Sequence, residues 1–322
     1  METIGLIAGG SGHTLTEELQ KAGYTVALAG GVAEERGMDI ADYTLVCDLR
    51  DTDTIIHFLK EKKVNKIILG TGHRFAFELA EKCEEEGLVA SVDAAISKLF
   101  KDKIKYKQNL VKNNLPTPLF YAAGTINKID DIINTVGLPC VIKSPVDKSL
   151  PQKVNTREEL NNALQEVLSK EEIALAEEFI TGVDITIPVT ANYENIKALF
   201  VSYYSKAKEV KLKGFDENRV RYLSPAEEEA AMIIAEHSVR KAGIVGFCRV
   251  DMLVDDNNKM QILECNSVTV TGTNSPQAEF SRNFVCAENK RHNINMAALL
   301  VENAFTVFEQ KQKRVNDVNK TQ

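Results

Sequence analysis

The sequence lacks any uninterrupted apolar run near the ~18 residues that a membrane-spanning helix needs. Its first residues, METIGLIAGGSGHTL, place no basic segment ahead of the apolar stretch, so that stretch reads as a strand and not as a secretion signal. With nothing directing it elsewhere, the chain is expected in the cytoplasm and off the membrane. A basic excess is also missing: 39 Lys and Arg stand against 46 Asp and Glu, a formal net charge of -7. Phosphate backbones are bound by clustered cations, so nucleic acid is not the expected partner. Six cysteines occur in 322 residues, and no two form a C-x-x-C pair. Cys47, Cys83, Cys140, Cys248, Cys265 and Cys286 are therefore expected as reduced, mostly buried thiols and not as disulfides or a zinc site. No internal repeat is present.

What is there suits a globular chain of two or three domains, with 44% hydrophobic and 26% charged residues. Over the first ~95 residues short apolar runs alternate with helical patterns. Strands are expected at Ile4–Ala8, Thr25–Ala29, Thr44–Cys47 and Lys66–Leu69, with helices at Leu15–Ala22, Asp53–Glu61 and Phe75–Glu86. That order implies βαβ units and a parallel sheet. The turn Gly9-Gly10-Ser11-Gly12 after the first strand falls short of a dinucleotide G-x-G-x-x-G and reads as a strand-to-helix turn. Gly70-Thr71-Gly72-His73 follows the fourth strand in the same way, with His73 a loop histidine.

A single helical segment, Asp93–Val111, leads into Leu115-Pro116-Thr117-Pro118, where two prolines force extended backbone. Beyond it, strands are expected at Leu138–Lys143, Ala174–Phe179, Ile185–Thr190 and Leu199–Ser205. Helices are expected at Thr156–Leu168, with Thr156 and Glu159 as a capping box, and at Pro225–Ala242, closed by Gly243. A hairpin, Gly246–Val254 with Met260–Cys265, turns at Asp255-Asp256-Asn257-Asn258. A last amphipathic helix, Ile294–Phe308, precedes a polar tail.

The hairpin carries the strongest chemical signal. Strand alternation puts Arg249 and Asp251 on one face, and Glu264 and Asn266 likewise on the next strand. Two carboxylates, an amide oxygen and a guanidinium then share a face amid Phe247, Val250, Leu253, Ile262 and Leu263. An all-oxygen set of this size suits Mg²⁺, with Mn²⁺ as the alternative, and a buried carboxylate pair without a cation is costly. Arg249 is placed to stabilise charge that develops during phosphoryl transfer.

Five elements follow in order: Asp102-Lys103; Leu138-Pro139-x-Val141-Ile142-Lys143; Glu177-Glu178-Phe179-Ile180-x-Gly182-x-Asp184; Arg249-x-Asp251; and Glu264-x-Asn266. Together they resemble the ATP-grasp superfamily, in the branch of D-alanine–D-alanine ligase and the carbamoyl-phosphate-synthase-like carboxylate–amine ligases. The resemblance spans roughly 95 to 275 and extends more loosely over the first domain. It implies an α/β and α+β fold: a Rossmann-like pre-ATP-grasp domain over 1–97, a small subdomain over 98–182, a large subdomain with the metal site over 183–311, and a polar tail over 312–322.

The resemblance also implies ATP- and Mg²⁺-dependent joining of a carboxylate to an amine through an acyl-phosphate. At least one of the two small-molecule substrates would be an amino acid, and the chain would form a homodimer. On the same resemblance Lys103 and Lys143 contact the nucleotide phosphates, and Lys143 shares with Arg249 the spreading of charge. Glu177 accepts the adenine amino group, the backbone of Glu178 and Ile180 meets the adenine edge, Phe179 stands at the adenine slot and Asp184 binds ribose. Asp251, Glu264 and Asn266 are the metal ligands.

Two stretches depart from the family pattern. The phosphate flap, Ser144 to Lys153, has two prolines and no glycine, so backbone N–H groups are harder to converge there, and Lys148, Ser149 or Lys153 are expected to stand in. After Asn266 a hydroxyl-rich run, Ser267 to Ser275, replaces a proline–glycine turn and is expected to line a substrate pocket. The Lys- and Arg-dense stretch 206–221 reads as a lid. The altered flap makes an ATP-binding regulator or pseudoenzyme the alternative function.

Overall fold

Three sheets organise the described residues. The computed structural model describes residues 1–146, 149–203, 222–268 and 294–321. Lys148, the expected lid, most of the hydroxyl-rich run after Ser267, and Cys286 lie outside the described residues.

The first sheet is wholly parallel. Strands β1 (Thr3–Ile7), β2 (Thr25–Gly30), β3 (Tyr43–Val46), β4 (Lys66–Leu69) and β5 (Val89–Ala90) stand in the order β3-β2-β1-β4-β5. Its helices are α1 (Gly12–Lys21), α2 (Thr52–Glu61) and α3 (Arg74–Glu85). Side chains alternate across the strands, so Ile7, Ala29, Ile67 and Leu69 pack with Ile55, Leu59, Phe77 and Leu79 on one face. Ile4, Leu6, Leu28 and Ile68 pack on the other face with Leu15 and Leu19 and with Leu300, Val301 and Phe308 of the last helix, α9 (Met296–Thr321). The segment expected as a polar tail is thus helical through Thr321. Lys311 on that helix pairs with Glu84 and donates to Ala90 O at 3.0 Å and Val92 O at 2.6 Å, which fastens the chain's end to β5.

The expected single helix before the prolines is two: α4 (Ala94–Phe100) and α5 (Lys103–Lys112). Asp102 causes the break, because its carboxylate accepts from Ile104 N at 2.9 Å and Lys105 N at 3.3 Å and so starts a new helix. The small second sheet is antiparallel, in the order β6-β9-β7-β8, from β6 (Phe120–Ala123), β7 (Cys140–Lys143), β8 (Gln152–Val154) and β9 (Ala174–Glu178). One face is covered by α6 (Ile129–Val136) and α7 (Arg157–Leu168) through Ile132, Leu160, Leu164 and Val167. Thr156 caps α7 as expected, but the reciprocal bond lands one residue earlier, with Glu159 accepting from Asn155 N at 2.6 Å.

The third sheet runs β11-β10-β13-β14, from β10 (Gly182–Ala191), β11 (Ile196–Ala198), β13 (Gly246–Asp255) and β14 (Met260–Ser267), with β12 (Ser202–Tyr203) also paired to β10. Helix α8 (Pro225–Ala242) and α5 cover one face, where Tyr106, Ala231, Ala235 and Val239 meet Ile185, Ile187, Val250 and Met252. Burial pushes the Cys83 thiol up to about 12 and the Cys140 thiol to about 11, so both are neutral packing groups.

Candidate functional site

The small sheet and the large sheet each bury one face on helices and leave a second face that carries polar groups. On the small sheet, Glu177 pairs with Val141 and Phe120, and Val141 pairs with Lys153. Lys143 and Phe179 lie two residues on from Val141 and Glu177, so all six positions share that face. On the large sheet, Asp184, Thr186 and Pro188 oppose Leu253, Asp251 and Arg249, and Arg249 and Asp251 oppose Asn266 and Glu264.

A β-bulge sets the last of these pairs. Asp251 faces Glu264, yet the next residue, Met252, faces Ile262, so Leu263 is the extra residue. Strict alternation would put Ile262 and Glu264 on one face. The bulge lets Ile262 enter the core while Glu264 turns to the site. Extended backbone after α5 pins the same point: Ile262 N donates to Pro116 O at 2.9 Å, and Thr117 Oγ1 donates to Ile262 O at 2.9 Å.

The two faces meet in ion pairs. Lys103 Nζ, at the start of α5, lies 3.1 Å from Glu264 Oε2. Lys143 Nζ lies 2.8 Å from Glu177 Oε1, and Lys107 Nζ lies 3.2 Å from the same oxygen. Arg249 donates from Nε to Asp251 Oδ1 at 2.9 Å and from Nη2 to Oδ2 at 3.0 Å. Thr186 donates to Asp251 Oδ1 at 2.5 Å. Lys103, Lys107, Lys143, Glu177, Thr186 and Asp251 are all buried. Among the described residues, four cations therefore face three carboxylates.

Asn266 Nδ2 donates to Asp251 Oδ2 at 3.1 Å and to Glu264 Oε1 at 3.0 Å. The amide thus fills the point on which two carboxylates converge. Turned about its last bond, it presents its oxygen to that point and completes an all-oxygen set for a hard cation. Among the described residues no three His, Cys, Asp or Glu side chains come together, so this set depends on the amide. Burial raises the Asp251 carboxyl, the Arg249 guanidinium opposes that and Glu264 adds to it; the balance stays above the ordinary value. Burial works the same way on Glu264, but the ammonium groups of Lys103 and Lys143 outweigh it and hold that carboxyl well below the carboxylate range.

Most of the residues singled out from the sequence are brought to this cleft. The Glu177 carboxylate is engaged at Oε1 by two lysines, Lys143 and Lys107. The Glu178 N–H also has a partner, donating to Leu119 O at 2.9 Å. Phe179 stacks under Lys153, whose Nζ is 3.8 Å from the ring centroid, so that flap lysine faces an aromatic ring. Ile180 lies between β9 and β10. Asp184 lies at the outer end of the row that leads through Thr186 to the carboxylate pair.

Sequence reading missed Lys107 and Thr186. Lys107 follows Lys103 by one helical turn, and Thr186 follows Asp184 by one strand repeat, so periodicity from the chosen residues points to both. The two glycine turns close the site on another side. A Cβ on Gly9 would stand 2.5 Å from Gly70 O, and one on Gly72 would stand 2.6 Å from Ser267 O. These close approaches account for the glycines without a dinucleotide. They bring the carboxyl ends of β1 and β4 against the end of β14, where Val268 takes a φ of 62° that β-branched residues rarely adopt.

Comparison with known proteins agrees with this architecture. Residues 121–280 match the family model "D-ala D-ala ligase C-terminus". A D-alanine--D-alanine ligase of Alcanivorax borkumensis is 27% identical over 283 residues, covering 80% of this chain and 87% of that protein. The L-amino acid ligase of Bacillus licheniformis superposes with a TM-score of 0.70 at 17% identity, over 94% of this chain and 74% of that one. Biotin carboxylase of Campylobacter jejuni, solved with a β,γ-ATP ligand, reaches a TM-score of 0.76 at 15% identity, over 94% and 70%. Five motifs in order, a cleft between two antiparallel sheets and these likenesses agree: the chain is similar in sequence to the D-alanine–D-alanine ligases, and its fold is that of the carboxylate–amine ligases of the ATP-grasp kind.

Proposed function

We propose that the protein is an ATP- and Mg²⁺-dependent ligase that activates a carboxylate as an acyl-phosphate and transfers the acyl group to an amine, with an amino acid on at least one side. One observation carries the reading: Lys103 and Arg249 pair with the set Asp251–Asn266–Glu264, and the charge of Lys143 acts on Glu264 across the cleft between two polar sheet faces.

In this reading Lys103 and Lys143 bind the phosphate chain, with Lys143 taking charge on the transferring group. Arg249 holds Asp251 in place and presents its remaining guanidinium edge to the charge that grows in the transition state. Asp251, Glu264 and the turned Asn266 hold Mg²⁺, which neutralises the β- and γ-phosphates when bound. A substrate carboxylate oxygen bonds to the γ-phosphorus as the bond to the ADP oxygen breaks. The amine nitrogen then bonds to the acyl carbon, phosphate leaves, and the nitrogen gives up a proton. Water would hydrolyse the acyl-phosphate, so burial of these groups serves the chemistry as well as the fold.

Phe179 walls the adenine slot, the backbone about Glu178 and Ile180 borders it, and Asp184 takes the ribose. Ser149, whose Oγ is buried without a hydrogen-bond partner, covers the phosphates from the flap. The Gly9 and Gly70 turns, facing the end of β14, border the acid and amine. The units run 1–97, 98–182 and 183–311, and the chain assembles as a homodimer.

Release of ADP from ATP and Mg²⁺, screened over pooled amino acids and small amines, tests the reading. Turnover is expected only when an acid and an amine are present together. Tight ATP binding with no turnover in any pool would instead favour a nucleotide-binding regulator.

A further inference from the structure

We infer that Thr117 is a positioning residue for Glu264: its hydroxyl holds the bulge of β14 in the shape that turns that carboxylate to the cleft. The inference rests on the metal reading above and adds to it a residue outside the ligand set.

The need for this hydroxyl is set by the linker that carries it. Pro116 and Pro118 flank Thr117, and proline has no N–H, so two of the three main-chain donors are missing there. The linker nevertheless lies along β14, the last strand of its sheet. Ile262 N donates to Pro116 O at 2.9 Å, so the linker accepts as a strand would. A strand would also give an N–H back to Ile262 O. Here the Thr117 hydroxyl donates in its place, at 2.9 Å. Ile262 is 0% exposed, so loss of the hydroxyl would leave a buried carbonyl short of this partner.

Both main-chain groups of Ile262 are thus committed to the linker, and the place matters. Leu263 is the extra residue of the bulge, and Glu264 follows it directly. The bulge puts Glu264 on the face opposite that of Ile262, where it meets Lys103 at 3.1 Å and accepts from Asn266 Nδ2 at 3.0 Å. Fixing Ile262 therefore fixes where the bulge falls and which way Glu264 points.

The hydroxyl is itself held. Lys107 Nζ donates to Thr117 Oγ1 at 2.9 Å and lies 3.2 Å from Glu177 Oε1. A charged donor on the oxygen polarises the O–H and strengthens the bond that it gives. The contacts form one chain, Glu177 to Lys107 to Thr117 to Ile262, which runs from the small sheet through α5 to the strand that bears Glu264 and Asn266. A threonine kept for its shape alone has no need to stand between a buried ammonium and a buried carbonyl.

The test is Mn²⁺ binding to the full chain at saturating ADP, followed by electron paramagnetic resonance, which reads the metal without turnover. Thr117→Val keeps the shape of the side chain and removes the hydroxyl. It should raise the Kd for Mn²⁺ by about tenfold, the usual effect of losing a group that orients a ligand. Calorimetry of ADP in EDTA should stay within about twofold of wild type, because the hydroxyl is directed at β14. Thr117→Ser restores the donor and should bring Mn²⁺ back to within about twofold. Three results would overturn the inference: a lower melting temperature in Thr117→Val with Mn²⁺ binding unchanged, equal weakening of ADP without metal, or no recovery in Thr117→Ser. Should Thr117→Val not fold, Thr117→Cys puts a weak S–H donor in the same place and should weaken Mn²⁺ by about threefold. Wild-type binding in that variant would overturn the inference. Wild-type protein that binds no Mn²⁺ at saturating ADP would overturn it together with the metal reading, a result distinct from any variant's.

Discussion

The two sheets that face each other across the cleft are built alike and charged differently. Each packs one face on a pair of helices, α6 and α7 for the small sheet and α5 and α8 for the large one. On the open faces, the small sheet offers Lys143 and Lys153 with Glu177, while the large sheet offers Asp251, Glu264 and Asn266 with Arg249. The difference matches what a magnesium–nucleotide asks of its site, cations for phosphate on one wall and oxygens for a metal on the other. Lys103 reaches from α5 to Glu264 and ties the walls together.

If that division is right, breaking the oxygen wall should be the more damaging. Asp251→Ala or Glu264→Ala should lower Mg²⁺-dependent turnover by at least about 10²-fold, with the circular dichroism spectrum retained. Full activity in either variant would sink the metal assignment. Thr186→Val removes the hydroxyl that holds Asp251 and keeps the shape of the side chain. It should weaken Mg²⁺ by about tenfold in a titration of ADP release, the usual effect of losing a group that orients a ligand. No change in the Mg²⁺ dependence would mean that Arg249 alone fixes the carboxylate.

The cation wall is sharpened by a smaller effect. Burial depresses the Lys107 ammonium from 10.5 to about 8, against the pull of Glu177 on β9 and Glu264 on β14 and with the push of Lys143 on β7. Between those two pH values the unfolded chain holds more protons at this residue than the folded one does. Stability relative to Lys107→Met should therefore rise as pH climbs through that window, because the cost of the buried charge disappears. Urea unfolding of both proteins at the two ends of the window measures it. The titration of Cys83 and Cys140 is common to both proteins and cancels in the difference. A flat difference would mean that Lys107 stays protonated in the fold.

Some elements were legible at both ends because local chemistry sets their limits. Helix α8 starts where Ser224 and Glu227 form a capping box ahead of Pro225, and it stops where Gly243 takes the left-handed conformation. Strand β4 is bounded as expected, since its apolar run is short and its flanks are polar or glycine. Strand β6, strand β8 and helix α6 went unseen, being too short to show a period. The split at Asp102 was hidden because the helical pattern continues across it. The last helix was cut short because its polar final turns carry little hydrophobic pattern, and its hold on β5 runs through one lysine.

In the site, strand alternation puts Arg249 and Asp251 on one face with Glu264 and Asn266 on the next strand, and the family resemblance adds Lys103 and Lys143. Alternation along a strand decides which side chains share a face, and that is local information. The partners of those side chains are not local. The bulge at Leu263, the second lysine on Glu177, the hydroxyl on Asp251 and the return of the last helix to the first sheet each join residues far apart in the chain. The sequence by itself determined the cleft's two kinds of chemistry, because periodicity sorts polar from apolar positions within each strand. Only the tertiary structure decided that Glu177 answers to lysines, because charge pairing in a buried site depends on which faces packing brings together.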